Sequence, residues 1–372
     1  MEATRGTALV FAVSGAVQAS WMSRLPAIAD RLKINTQGLG LALAALGVGT
    51  LAGMLAAGRL SRRYGSRRVL ARSSILTVVL LLVASLMPTP PLFAGSILVF
   101  GLAAGSWDAA MNVHGTAIER ATERHLMSRF HGFWSVGTVV GAAVGATAAK
   151  FDVPFTGQCA AVGAIAFALT RIAARSFESE SAPPADRPHL SRPIVALAAL
   201  TLLGALIEGA ANDWLAFFLA ARRGFTHAEA AAGYALFVAA MALGRFGAER
   251  AHTRMGPTVI VGGGALLAGS GVVTTVLAST SALVLAGAVT WGLGISVVLP
   301  AAVSAAGSTP HPDETVAAMT TIGYAAGLLG PIVLGLAAAS AGLETALLSL
   351  SACAVVLAML APSARGAAPT TR

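Results

Sequence analysis

Residues 101–119 read G-L-A-A-G-S-W-D-A-A-M-N-V-H-G-T-A-I-E, and they close a long apolar run while carrying Asp108, Asn112 and His114. At about 3.6 residues per turn, one helical face roughly 80° wide holds small and polar residues, namely Gly101, Gly105, Asp108, Asn112, Gly115 and Glu119. The opposite face is apolar. A carboxylate inside a membrane span is costly and rarely faces lipid. The stretch therefore predicts a membrane helix whose polar face serves a function.

The composition indicates the same class of protein. The chain has 372 residues, of which 56% are hydrophobic and 11% charged, whereas soluble domains have about 25% charged residues. The net charge of +9 does not predict a nucleic-acid partner, because the basic residues stand between apolar runs, where they fix membrane topology. Cys159 and Cys353 both lie inside apolar runs, so we expect no disulfide framework.

Twelve apolar runs are long enough to cross a bilayer, whose core of about 30 Å needs about 20 residues per helix. They predict an all-α membrane protein with twelve transmembrane helices. The runs are residues 7–28, 39–57, 69–87, 92–118, 130–149, 153–169, 194–219, 228–246, 259–277, 282–305, 316–339 and 343–360.

A polar, proline-rich segment at residues 175–192 separates the first six runs from the last six. We therefore expect an N-terminal six-helix bundle at residues 1–174, a linker at 175–192 and a C-terminal six-helix bundle at 193–372. With the N-terminus inside, 19 of the 25 basic residues fall on the cytoplasmic side and 6 outside. This bias predicts that both termini and the linker are cytoplasmic.

The two halves also repeat one another at a spacing near 191 residues. Gly65 matches Gly256 after the second span of each half, and F-G-L from Phe100 matches W-G-L from Trp291. Two six-helix bundles related by a pseudo-two-fold axis, with a binding site between them, are an architecture of transporters.

The loop after the second span reads G-R-L-S-R-R-Y-G-S-R-R over residues 58–68. It resembles the loop motif G-x-x-x-D-R-x-G-x-R-R of the major facilitator superfamily. Arg62 stands where that family usually has aspartate, an acid that helps to latch the cytoplasmic side, so the usual latch lacks its acid here. The matching residues are Gly58, Arg63, Gly65, Arg67 and Arg68.

The second half holds what looks like a degenerate copy of this motif, G-R-F-G-A-E-R at residues 244–250, which starts at Gly244. An acid is present in this copy. Glu249 lies four residues after Arg245 and could pair with it on one helical face. Positive-inside topology alone would also place arginines in both loops.

Further stretches resemble a bacterial inner-membrane branch of the superfamily that is related to fucose–proton symporters. They include W-D-A-A-M-N from Trp107 and E-G-A-A-N-D-W from Glu208. The resemblance implies two six-helix bundles that rock to give alternating access, a cavity lined by the first and seventh helices, and a monomer. It also implies proton coupling through an acid in the fourth helix, where Asp108 stands.

Two acids inside the apolar runs, Asp108 and Glu208, are the candidates for proton coupling. A carboxylate buried in an apolar span can bind and release a proton near physiological pH. Glu208 lies deep in the seventh span. Either acid could instead be a structural hydrogen-bond partner of a neighbouring helix.

Six polar residues are candidates for contact with the solute. The alternatives stay open: His131 could be a hydrated interfacial residue, and Asp213 could be a structural ion-pair partner. The tryptophans of the chain could stack on a sugar ring or anchor the protein at the membrane interface. The six are Asn112, Asn212, Gln18, Trp134, His131 and Asp213, with Arg24 as a further candidate in the first span.

The leading hypothesis is a secondary transporter that couples a small polar, sugar-like solute to protons by symport. The alternative is proton-driven efflux of a drug or metabolite by the same fold. Many efflux pumps of the superfamily have a proline after the glycines of the fifth span, and here Gly137, Gly141 and Gly145 lack it, which favours symport. No catalytic, metal-binding or Walker motif appears, so we expect no enzyme activity, cofactor or metal.

Overall fold

The computed structural model describes residues 2–122, 126–176, 192–307, 309 and 312–365. These residues form fourteen α-helices and two short 3-10 helices, with no strand among them. Ten of the helical segments are long and apolar enough to cross a membrane. The predicted all-α membrane fold is thus confirmed. The central linker at residues 175–192 lies outside the described residues except at its two ends.

The described chain forms two compact units. The first unit contains Met1–Pro183 together with Leu215–Ala235. Within it α3 packs mainly against α5, and α1 packs mainly against α6. Its helices are α1 (Glu2–Met22), α2 (Leu25–Leu32), α3 (Thr36–Tyr64), α4 (Ser66–Leu86), α5 (Pro90–Thr122), α6 (Met127–Lys150) and α7 (Phe155–Ala173).

The second unit contains Pro184–Trp214 and Leu236–Arg372, so α8 and α9 each contribute to both units. Within it α10 packs against both α11 and α14. The predicted domain boundaries at residues 174 and 193 stay a prediction. The helices of the second half are α8 (Arg192–Arg223), α9 (His227–Met255), α10 (Pro257–Leu277), α11 (Ser281–Ile295), α12 (Val298–Gly307), α13 (Pro312–Ala341) and α14 (Leu343–Leu360).

Two of the predicted spans are broken helices rather than continuous ones. The first span, at residues 7–28, is interrupted after Met22, and the chain resumes a helix at Leu25. Pro26, at the start of α2, explains this break, because proline disfavours helical backbone in the residue before it and donates no hydrogen bond. The tenth span, at residues 282–305, breaks between Ile295 and Val298, just before Pro300.

The internal repeat predicted from the sequence is confirmed by the helix boundaries. A shift of 191 residues carries Ser66–Leu86 onto Pro257–Leu277, so α4 and α10 begin and end at matching positions. Each is joined to the preceding helix by a single glycine with positive φ, 84° at Gly65 and 78° at Gly256. Glycine suits both turns, because side chains disfavour this backbone region.

Glycines let α3 and α5 pack backbone against backbone. A Cβ atom on Gly49 or Gly53 of α3 would overlap the carbonyl of Leu98 or Leu102 of α5. In the other direction, a Cβ atom on Gly105 of α5 would overlap the carbonyl of Thr50. Such small-residue contacts are the usual means of close helix packing in membranes, where the hydrophobic effect does not drive helices together.

We expect Gly105→Ala to destabilise the fold by about 1–3 kcal/mol, the usual cost of forcing an extra methyl group into a packed interface. The control is Gly95→Ala on the same helix, where an added Cβ atom meets nothing within 4 Å. Thermal unfolding of the two purified variants in the same detergent checks this. Equal unfolding temperatures for Gly105→Ala and Gly95→Ala would contradict the close packing.

Candidate functional site

Glu208 of α8 and Arg245 of α9 form an ion pair inside the second unit. Glu208 Oε1 lies 2.8 Å from Arg245 Nη2, and the side chains are only 11% and 22% exposed. Both residues lie within helical segments apolar enough to cross a membrane, Val195–Arg223 and His227–Gly247. Ionisable residues at such positions are costly and are generally retained for function.

Only one oxygen of the Glu208 carboxylate is engaged by this contact. Its Oε2 atom is buried and has no hydrogen-bond partner among the described residues. One turn further along α8, Asn212 Nδ2 donates to the backbone carbonyl of Glu208 at 3.2 Å. The pair therefore leaves one carboxylate oxygen available to a donor, whether that donor is a proton or a group on a solute.

The sequence placed Arg245 in a loop motif, but the structure places it well inside α9, which continues to Met255. Its contact with Glu208 could not be read from the sequence. The side chain of Glu249 lies outside the described residues, so its predicted pairing with Arg245 stays a prediction. Gly244 is a packing position, where an added Cβ atom would overlap Ser296 at the break between α11 and α12.

Asp108 and Asn112 form the second polar group, on α5 in the first unit. Both side chains are half-buried. Asn112 Nδ2 donates to the backbone carbonyl of Asp108 at 2.9 Å and lies 3.5 Å from its Oδ1 atom. The two residues are therefore hydrogen-bonded partners within α5. Asp108 and Glu208 belong to different units.

The other predicted solute-contacting residues differ in their exposure. Gln18 on α1 and His131 on α6 are exposed, and Trp134 and Asn212 are half-buried. Asp213, by contrast, is only 8% exposed. His131 packs edge-on against Phe11 of α1, with ring centroids 5.4 Å apart.

The proposed stacking role fails for Trp21, Trp107 and Trp214, which are core residues. Trp21, Trp107 and Trp214 are each at most 2% exposed. Trp21 instead packs edge-on against Phe100 at 5.8 Å. The hydropathy of the sequence does not distinguish a tryptophan ring that faces a cavity from one that is packed inside the unit. Only Trp134 keeps an accessible ring.

Arg24 was considered for the cavity, but it is a buried structural residue. It donates through Nη1 to Gln158 Oε1 at 2.8 Å and through Nη2 to the carbonyl of Val153 at 2.9 Å. Gln158 in turn donates to the carbonyl of Ser20 at 2.7 Å. The network ties the break between α1 and α2 to the start of α7. Gln158 was missed, although a lone glutamine in an apolar run was a usable signal.

Within the first unit, His227 at the start of α9 forms a polar contact with Asp30 of α2. Nε2 of His227 lies 2.8 Å from Oδ2 of Asp30, and the side chains are 43% and 74% exposed. An exposed pair of this kind contributes about 0–1 kcal/mol. Beside it lies a cavity of about 390 Å³ whose lining includes Phe217 and Phe225. Nothing in the sequence pointed to this contact between distant positions.

The first loop motif joins α3 to α4 through Gly65. Arg63, Arg67 and Arg68 are exposed there, and Gly58 is half-buried. The side chain of Arg62 lies outside the described residues. Among the residues that the structure describes, no cluster of three His, Cys, Asp or Glu side chains could hold a metal ion.

Comparison with known proteins agrees with this architecture. The family model described as Major Facilitator Superfamily matches residues 7–334. An uncharacterised MFS-type transporter of Yersinia pestis is 34% identical over 367 residues, covering 96% of this chain and 94% of that protein. An uncharacterised transporter of Sinorhizobium fredii is 34% identical over 368 residues, covering 96% and 97%.

Solved structures of transporters share the fold. A bacterial homologue of the human lysosomal transporter Spinster matches with a TM-score of 0.76 at 14% identity, covering 99% of this chain and 98% of that one. A D-xylose–proton symporter matches with a TM-score of 0.76 at 13% identity, covering 96% and 95%. At these identities the likeness concerns the fold alone.

Proposed function

Since the chain belongs to the major facilitator superfamily, we propose that it couples the movement of a small polar solute to protons by symport. Membership in this family and relatives named as transporters support a secondary transporter. The coupling ion, the direction and the solute are our proposal. The observation that carries it is the buried ion pair of Glu208 and Arg245.

The ion pair offers a direct way to couple a proton to a solute. In the paired state, Arg245 Nη2 donates a hydrogen bond to Glu208 Oε1 at 2.8 Å. A proton on Glu208 removes the negative charge and releases the guanidinium. The Nη2 donor of Arg245 that Glu208 engaged then suits an oxygen of a sugar, a polyol or a carboxylate. Proton and solute therefore bind together, as symport requires.

Asp108 supplies a second titratable group in the other unit. We propose that it is a second proton-coupling acid beside Glu208, with Asn112 as the group that orients its carboxylate. The fucose–proton symporter resemblance supports this role, since an acid in the fourth helix couples protons in that family. Gln18, His131, Trp134 and Asn212, which are exposed or half-buried, are proposed as solute contacts.

The charge bias of the sequence supports an inner-membrane protein with both termini in the cytoplasm. We propose this orientation, with residues 1–174 and 193–372 as the two bundles that alternate access. A monomer agrees with the family resemblance.

The experiment that tests symport measures the sign of proton movement when a solute binds. Purified protein in weakly buffered detergent is mixed with pooled sugars, polyols, amino acids or drugs, and a pH indicator records uptake or release. The same pools are then tested in liposomes under an imposed pH gradient. Proton uptake on binding, and solute movement with proton entry, are expected. Proton release on binding would contradict symport and indicate efflux by antiport.

A further inference from the structure

The turn between α3 and α4 carries an unusual density of positive charge. Six arginines stand among the 14 residues from position 59 to position 72, and no acid stands between them. We call this group the arginine patch. Its members are Arg59, Arg62, Arg63, Arg67, Arg68 and Arg72.

The described members of the arginine patch lie on the surface without a neutralising partner. Arg59, Arg63, Arg67, Arg68 and Arg72 are all exposed. Among the described residues, none of these five guanidinium groups lies within 4.0 Å of a carboxylate. Arg63 makes a cation–π interaction, with its guanidinium 5.2 Å from the ring centroid of Tyr64.

Membrane topology alone does not account for this density. The internal repeat provides a comparison within the same chain, because a shift of 191 residues carries the patch onto residues 250–263. That stretch has the same single-glycine turn at Gly256, yet it contains only Arg250 and Arg254, and Glu249 directly precedes it. The matching turn of the second half therefore has four arginines fewer than the patch.

Helix stability does not account for the patch either. Arg67 and Arg68 lie in the first turn of α4, which contains no acid. The positive end of a helix macrodipole repels cations there, so these positions favour acidic residues. Two arginines at this end therefore weaken the helix unless an anion binds nearby.

The position of the patch fits the headgroup region of a bilayer. It begins in the last turns of the candidate span Thr36–Ser61 and ends in the first turns of the candidate span Ser66–Leu86. Long arginine side chains near the ends of spans extend towards the headgroups. Tyr64, which is 40% exposed, has the amphipathic character of an aromatic residue at the membrane interface.

We propose that the arginine patch binds the headgroups of anionic phospholipids. Clusters of four to eight basic residues at the cytoplasmic end of a membrane helix attract such lipids, and the charge bias of the sequence assigns this turn to the cytoplasmic side. The bound phosphates neutralise the guanidinium groups and offset the unfavourable dipole of α4. This role is independent of the transported solute.

The test compares lipid retention by the wild-type protein and a patch variant, Arg63→Gln/Arg67→Gln/Arg68→Gln. Both are reconstituted in nanodiscs of phosphatidylcholine with and without phosphatidylglycerol, then extracted mildly for native mass spectrometry of bound lipid. The wild-type protein is expected to retain phosphatidylglycerol selectively. The variant should lose this preference about 10- to 100-fold, given the attraction per basic residue at an anionic surface. High salt should weaken the wild-type preference.

Three controls make the outcome decisive. The matched variant Arg171→Gln/Arg175→Gln/Arg254→Gln removes three other exposed arginines, and it should keep the preference. Equal unfolding temperatures in pure phosphatidylcholine show that the patch variant is folded. Inorganic phosphate added to the wild-type protein should not displace the retained phosphatidylglycerol. Equal retention by the wild-type protein and the patch variant, an equal loss in the matched variant, or full displacement of the lipid by inorganic phosphate would each overturn the proposal.

Discussion

Glu208→Gln is expected to abolish transport and to lower the free energy of unfolding by about 3 kcal/mol, because it removes the Glu208 anion from the largely buried guanidinium of Arg245. The estimate is at the lower end of the range for buried pairs, since 22% of the Arg245 side chain remains exposed. Thermal unfolding in detergent measures the stability. Solute uptake into liposomes measures transport.

The double variant Glu208→Gln/Arg245→Gln separates the two effects. It contains no unpaired charge, so its stability should recover most of the loss, as replacement of whole buried ion pairs commonly does. Transport should stay absent, because neither a titratable acid nor a guanidinium remains. Arg254→Gln, on the same helix at an exposed position, is the control for loss of an arginine. A stable and active Glu208→Gln variant would show that the pair is dispensable.

Asp108→Asn is expected to lower solute-driven proton uptake below that of the wild-type protein while solute binding is kept, with the remaining uptake due to Glu208. Asparagine has the shape of aspartate but does not titrate, and the bond from Asn112 Nδ2 to the backbone carbonyl at position 108 does not depend on the carboxylate. Proton uptake is read with a pH-sensitive dye, and solute binding is measured calorimetrically on the same preparation.

Asp152→Asn is the matched control for this substitution. Asp152 is exposed and has a φ of 52°, a conformation that asparagine adopts readily. Its replacement should leave both binding and proton uptake unchanged. Normal proton coupling in Asp108→Asn would make Asp108 a structural residue and leave Glu208 as the coupling acid.

The spans and the internal repeat could be predicted because both depend on local chemistry. Apolar runs of bilayer length and the glycines at positions 65 and 256 are visible without any tertiary information. The breaks after Met22 and Ile295 were missed. In both cases a proline near the break was present in the sequence but was read as part of a continuous apolar run.

The partners of the polar residues could not be predicted, because they depend on which faces of distant helices meet. Helical spacing places Asn112 and Asp108 on one face, because they lie four positions apart. Arg245 lies in a copy of the loop motif and inside the predicted span 228–246, but neither observation identifies Glu208 as its partner. Arg24 finds Gln158 across 134 positions of sequence, and helical periodicity carries no information over that distance.

The interlocked glycines of α3 and α5 also determine which movements these helices can make. Gly49 and Gly53 of α3 pack against the backbone of Leu98 and Leu102 of α5. Gly105 of α5 packs against the backbone of Thr50 of α3. Sliding one helix along the other by a turn, about 5.4 Å, would bring side chains to positions where only the hydrogen atom of a glycine fits against the neighbouring backbone. The two helices therefore keep a fixed register. The distance between two spectroscopic probes, one on each helix, should stay constant, and distances elsewhere in the protein can be calibrated against it while the transporter cycles.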